Sequence, residues 1–267
     1  MMSSERTAVG AMDLDDLDLV ALERFLVERA PGLVSAVGRD DAAIRLGLLA
    51  KMSPRVVPTL VGAYVFGKTP QYVFPEWGLG CVALNGLTLA DPVARRADLE
   101  GPLHVLVQKA LDFVGDESRS DDREPSGDAQ APYAREIVRE AVVNALVHRD
   151  LRRPSRVALR LFSDRLEVQS PGGPPEGLSD LEEAAREGGV SVPRNPLLAS
   201  IARHLGLGEQ LGRGLLRIVQ EGATGRRASG GDEGALEDRV EIRASPREVL
   251  VSLPARWRRP THAASLS

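Results

Sequence analysis

Only one of the 267 residues is a cysteine, Cys81. The chain can therefore form no internal disulfide and no thiolate zinc site, which fits a reducing, cytoplasmic location. Aromatic residues make up 4%, so the core has to be mainly aliphatic. No run approaches the roughly 20 apolar residues of a membrane-spanning helix, and no membrane partner is expected. The first residues, Met-Met-Ser-Ser-Glu-Arg, lack the apolar stretch of a signal peptide. Neither sign of charge dominates: 34 Lys and Arg stand against 38 Asp and Glu, a formal net charge of −4. That balance gives no electrostatic footprint for nucleic acid. Internal repeats are absent too. What remains is a globular composition, 43% hydrophobic and 27% charged, long enough for one large domain or two small ones.

The stretch Ala134–Asp150, A-R-E-I-V-R-E-A-V-V-N-A-L-V-H-R-D, contains no Pro or Gly and is rich in helix formers. Ile137, Val138, Ala141, Val142, Ala145 and Leu146 recur at helical spacing. Glu136, Glu140, Asn144 and His148 stand four apart and stack in one stripe. Ala141 and Ala145 flank that stripe on one side, Val143 and Val147 on the other. A narrow polar row between apolar flanks predicts a mostly buried helix that aims polar groups into a pocket. Left unpaired there, each group would cost a few kcal/mol, so a ligand, a metal or other side chains must satisfy them. The same pattern also fits an ordinary amphipathic helix with a solvated edge.

Ahead of this helix, residues 1–12 read as a disordered N-terminus and 13–114 as a small α+β connecting region. Helices are expected over Asp13–Glu28, Asp41–Leu49 and about Pro102–Val114, with strands at Thr59–Phe66 and Gly80–Asn85. The first strand contains Gly62-Ala-Tyr-Val-Phe-Gly67-Lys68-Thr69, which matches the P-loop pattern G-x-x-x-x-G-K-[ST]. A phosphate-cradling loop needs flexible residues inside it and a helix directly after it. Ala63–Phe66 is strand material instead, and Pro70 biases Thr69 away from helical geometry, so the match is read as coincidence. Residues 115–130 have Ala129 as their one apolar residue and read as a disordered linker and domain boundary.

Residues 131–255 read as the second domain. Val157, Leu159 and Leu161 alternate in a strand at Arg156–Phe162, and Leu166 and Val168 in another at Arg165–Ser170. The glycines of Ser170-Pro171-Gly172-Gly173-Pro174 let a backbone approach a ligand, or simply make a turn. A polar excursion leads to Pro193-Arg194-Asn195-Pro196, where Asn195 can cap a helix that has Pro196 in its first position. A second glycine loop, Gly208 to Gly214, then opens a helix at Leu215–Gln220 whose first amides could face a phosphate. Residues 222–237 read as a mobile loop, Val240–Ala244 and Glu248–Leu253 as strands, and 256–267 as a frayed tail.

This order of helix, two strands, glycine loop, helix, glycine loop, helix and two strands resembles the Bergerat fold of the GHKL ATPases, the superfamily of gyrase, histidine kinases and MutL. More narrowly, R-E-A-V-V-N-A-L-V-H-R-D, D-R-L-E-V-Q-S-P-G-G, S-V-P-R-N-P-L-L-A and L-G-R-G-L-L-R-I look like one bacterial and archaeal family. Its members are described as transcriptional regulators, or as resembling the C-terminal part of the ATP-dependent DNA helicase RecG. The likeness is strong over Tyr133–Pro254 and weaker over Leu14–Val114. It implies an α+β chain whose C-terminal part is a Bergerat-type α/β sandwich, a mixed sheet with helices on one face. ATP would lie between the helices and the glycine loops.

By position, the resemblance implies Glu140 as the acid that orients an attacking water and Asn144 as the Mg²⁺ ligand. A hard cation wants oxygen ligands, and a water attacking a phosphoryl group needs an oriented acceptor. His148, Arg149 and Asp150 match the family's H-R-D. Gly172 and Gly173 match its first glycine box, and Gly212 and Gly214 its second. Arg194 and Asn195 complete the implied nucleotide-binding set. Ser170 stands where many GHKL enzymes carry the Asp that receives the adenine amino group. The family usually has a Schlafen/AlbA-like DNA-binding domain before this part and a winged helix after it; neither is expected here. The implied cofactors are ATP and Mg²⁺, with slow or absent hydrolysis and no helicase motor. The implied partners are the nucleotide, a second copy of the chain and a DNA-associated regulatory partner. A nucleotide-free GHKL-like module for dimerisation or protein binding is the alternative. A DNA-binding regulator in its own right sits poorly with the acidic balance.

Overall fold

The computed structural model of the chain describes residues 4–119, 132–174, 181–187, 193–208, 214–222 and 240–255. Asp13 and Asp16 form a reciprocal capping box around a 3-10 turn at Leu14–Asp16. Asp18 then starts α1 (Leu19–Arg29) by accepting the Ala21 amide. The helix expected to run unbroken from Asp13 is thus interrupted at Leu17, because these aspartates compete for backbone amides. α2 (Pro31–Val37) and α3 (Arg39–Leu46) follow. β1 (Leu49–Met52) and β2 (Arg55–Pro58) form their own two-stranded ladder.

The segment expected as a strand at Thr59–Phe66 is instead a helix, α4 (Leu60–Phe66). Thr59 caps it by accepting the Gly62 amide. Every residue from Val61 to Phe66 is buried. A helix buried all round shows no polar face, so its sequence carries no helical period and its β-branched and aromatic residues mimic a strand. A Cβ at Gly62 would overlap the Leu48 carbonyl oxygen; glycine is there for close packing. Lys68 Nζ donates to the Asp15 carbonyl at 2.7 Å. The P-loop look-alike is the body of a buried helix and the residues just after it.

β3 (Leu79–Leu84) and β4 (Val93–Leu99) form a hairpin. α5 (Leu103–Arg119) runs five residues beyond its expected end, into the stretch expected as a linker; residues 120–131 lie outside the described residues. Next come α6 (Arg135–His148), β5 (Val157–Leu161), β6 (Arg165–Pro171), α7 (Leu181–Glu187), α8 (Pro196–His204), α9 (Gly214–Gly222), β7 (Glu241–Ala244) and β8 (Glu248–Pro254). The loop expected at 222–237 and the tail at 256–267 fall outside the description, apart from Gly222.

The large sheet has the order β4-β3-β5-β6-β8-β7. β3 and β5 are parallel and the other neighbours antiparallel, so the expected α+β chain with a mixed sheet is what the structure has. Cys81, Leu159, Val168, Val251 and Ile242 lie in register in one buried row, and α5 and α6 pack on β3 and β6. The next row, Val82, Arg160, Glu167, Ser252 and Glu241, faces the other way, with Arg160 3.7 Å from Glu167. The parallel step joins strands from either side of residues 115–130. Sheet and core are therefore continuous across that stretch.

The N-terminal residues expected to be disordered are held from Ser4 onward. The Val9 amide donates to Pro58 O at 2.8 Å, Val9 and Met12 join the core, and a 3-10 turn at Ser4–Arg6 buries Glu5. Few apolar residues anchor the segment, so composition hides it. Among the described residues, no helix is long and apolar enough to cross a membrane.

Candidate functional site

Ala141, Val143, Ala145 and Val147, the flanks of the polar stripe, are all buried, as α6 packs against β6, α5, α8 and α9. Glu136, in the first turn, is exposed, where a negative charge suits the helix's positive end. One turn on, Glu140 is 6% exposed. Asn144 Nδ2 donates to Glu140 Oε1 at 3.1 Å. With its nitrogen committed, Asn144 keeps its oxygen for a cation.

The first residue of α9 lies directly against this pair. A Cβ built on Gly214 would overlap the Glu140 carboxylate, 2.7 Å from its carbon and 3.2 Å from Asn144 Nδ2. Any larger residue there would displace the Glu140 carboxylate from its present place, and a carboxylate at a helix N-terminus is electrostatically favoured. Gly212 lies outside the described residues. Among the described residues no group of three or more His, Cys, Asp or Glu could hold a metal. Mg²⁺ held through one or two side chains would take the rest of its shell from water and phosphate, which Asn144 beside Glu140 could support.

Beyond α6 the Asp150 amide donates to Pro171 O at 2.8 Å, which brings the H-R-D turn against the first glycine pair. Gly172 has φ 99, a conformation other residues rarely adopt. A Cβ there would stand 2.9 Å from Asp150 Cβ and 3.4 Å from Arg194 Cζ. Arg194 donates to the Gly173 carbonyl and lies 3.9 Å from the Asp150 carboxylate. Arg152 and Arg153, absent from the expected set, approach the same carboxylate at 3.5 and 3.7 Å. Three guanidiniums around one carboxylate leave a positive excess that suits polyphosphate. Burial, and after it the charge of Arg194, pulls the His148 pKa down to about 4, so the imidazole is neutral at pH 7. His148, Asp150, Gly172, Gly173 and Arg194 thus converge.

Three expected residues have other partners. Arg149 is fully buried and donates to the carbonyls of Glu76 and Ser155, both at 2.9 Å. It fastens the end of α6 to the segment before β3, and a phosphate would reach it only by unpacking that corner. Ser170 Oγ donates to Ala145 O at 2.8 Å. Its hydrogen is committed, so towards a base it can only accept, as from an amino group. Asn195 is the N-cap residue of α8 but makes no side-chain cap. Its Nδ2 donates instead to Val147 O and Arg149 O, both at 2.8 Å.

The α8 amides are capped by Glu5, which sequence reasoning missed. Its carboxylate accepts from Leu198 N at 2.7 Å and Leu197 N at 3.2 Å. No local pattern signals a cap that lies 192 residues away.

Residues 155–229 match a protein-family model described as "Putative ATP-dependent DNA helicase recG C-terminal". The match takes in both glycine regions and the Arg194-Asn195 corner but begins after α6. No curated protein matches the chain. Among solved structures it is similar to the DIP2311 protein from Corynebacterium diphtheriae, with a TM-score of 0.63 and 20% identity, over 97% of this chain and 41% of that one. The chain thus spans about two fifths of the solved protein's length, and the likeness is one of fold. Residues 155–229 are accordingly similar to an ATPase-like domain, set in an α+β fold that α6 completes.

Proposed function

We propose that the chain binds Mg·ATP between α6 and the two glycine regions, and that the nucleotide state regulates a partner rather than driving rapid turnover. The observation that carries this reading is the part-buried Glu140–Asn144 pair set against the first residue of α9. Asn144 would hold Mg²⁺, which when bound neutralises phosphate charge. Glu140 would orient water for a slow hydrolysis. His148, Arg194 and the glycine pair would receive the polyphosphate, and Ser170 Oγ would accept from the adenine amino group. The ATPase-like family match supports nucleotide binding. The finer reading, a transcriptional regulator that works with a DNA-associated partner and as a homodimer, follows from the family resemblance.

One observation favours a second reading. Glu140, Asn144, Ser170 and Asn195 all have hydrogen-bond partners inside the protein, as they would in a nucleotide-free fold kept for dimerisation or protein binding. Calorimetric titration with Mg·ATP, alongside single-turnover phosphate release, decides between the two. Asn144→Ala should weaken binding about tenfold or more, since a contact to a charged group is worth roughly 1.5–3 kcal/mol. Glu140→Gln should bind as well or slightly tighter and lose whatever turnover exists. Unchanged binding by Asn144→Ala refutes the site assignment. No binding of any nucleotide by the unmutated protein establishes the second reading.

A further inference from the structure

α8 begins at a crowded corner. Asn195 is its N-cap, and Pro196, with no N–H, is its first residue, so the Leu197 and Leu198 amides are the first that need an acceptor. An N-cap asparagine ordinarily supplies one from its own side chain. Here the acceptor is the Glu5 carboxylate, 1% exposed. The Asn195 side chain is thereby left to donate to Val147 O and Arg149 O, the carbonyls that flank His148 at the end of α6. The residue before it, Arg194, reaches the Gly173 carbonyl and Asp150. Glu5 is itself fixed from the other side. The Leu60 amide donates to Thr7 O at 2.9 Å and the Val9 amide to Pro58 O at 2.8 Å, which pins the segment at the entry to α4.

We propose that Glu5 is a positioning residue for the candidate site: by capping α8 it releases Asn195 to hold the His148–Asp150 turn and sets Arg194 against the glycine pair. Without the carboxylate, the Asn195 side chain swings back to cap its own helix, as N-cap asparagines do. That rotation breaks its hydrogen bonds to Val147 and Arg149. Arg194 then leaves the neighbourhood of His148.

The nucleotide part of this inference rests on the function proposed above; the effect on His148 does not. The test is therefore double, on the full chain and on Glu5→Ala and Glu5→Gln. NMR titration follows the His148 ring, assigned by comparison with His148→Gln, and calorimetry follows Mg·ATP. Glu5→Ala should raise the His148 pKa above about 4 by the share that the charge of Arg194 contributes, burial still holding it below the usual value, and weaken Mg·ATP about tenfold. Glu5→Gln keeps one acceptor oxygen and the side-chain shape, so it should recover most of both; it also carries the test if Glu5→Ala does not fold. A lowered melting temperature with the His148 titration unchanged would show a merely structural cap and overturn the proposal. If the unmutated chain binds no Mg·ATP, the nucleotide reading fails and the His148 titration alone decides whether Glu5 positions the turn.

Discussion

Gly214 and Gly115 are both helical glycines, and alanine should act on them in opposite directions. At Gly115, inside α5, a Cβ would meet nothing within 4 Å. Alanine there removes the entropic penalty of glycine in a helix and should stabilise the protein by about 0.5–1 kcal/mol. At Gly214 the added carbon would overlap the Glu140 carboxylate. Either α9 shifts off α6 or Glu140 leaves its rotamer. Overpacking of this kind costs about 1–3 kcal/mol, more than the helix propensity regained at a terminal position. The two variants should therefore differ by roughly 1.5–4 kcal/mol, read as urea midpoints at constant slope. Shortening Glu140 makes room for the new carbon, so Glu140→Ala combined with Gly214→Ala should cost less than the two single changes summed, a coupling of about 1 kcal/mol or more. Equal stability of the two glycine variants, or strict additivity in the double mutant, would refute the contact between α9 and the acidic residue. Because no nucleotide enters the measurement, it tests the architecture of the site apart from its ligand.

Two further outcomes follow from other contacts. Lys68→Ala should leave Mg·ATP affinity unchanged by calorimetry, since Lys68 follows a buried helix and bonds to Asp15 O; a large loss of affinity at unchanged stability would restore the P-loop. His148 titrates at about 4 when folded against 6.5 ordinarily, so the unfolded chain takes up that proton first. Its contribution to stability is lost as pH falls from about 6.5 to about 4, and His148→Gln should flatten the pH dependence of the melting temperature in that window; an unchanged slope would contradict the burial of the ring.

Legibility in the sequence depended on whether an element keeps two chemically different faces. β5 and β6 alternate cleanly because one face meets helices and the other carries Arg160 and Glu167. α6 was legible because a polar stripe survives on a buried helix. α4 was not, since burial on every side erases the period. β4 escaped for the reverse reason: Arg95, Arg96 and Asp98 leave an edge strand with little apolar alternation. Within the site, the residues that converge around Gly172 come from the end of α6, its following turn, the glycine loop and the lead-in to α8. What stayed hidden was the division of tasks. Arg149 and Asn195 carry chemistry that would suit a ligand, yet backbone carbonyls claim both, and Glu5 is visible only once the chain has folded.

The parallel pairing of β3 with β5 bears on how this chain could be divided. Composition invites a cut at the polar stretch before α6. A fragment starting there would lose β3 and β4 and bare the flank of β5, whose Val157, Leu159 and Leu161 point into the core. An unpaired, apolar strand flank is a template for another chain. In the intact protein the outermost strand is β4 instead, with Arg95, Arg96 and Asp98 along it, and charge on an outer strand discourages such pairing. A fragment cut before α6 should therefore self-associate where the chain that keeps β3 and β4 does not.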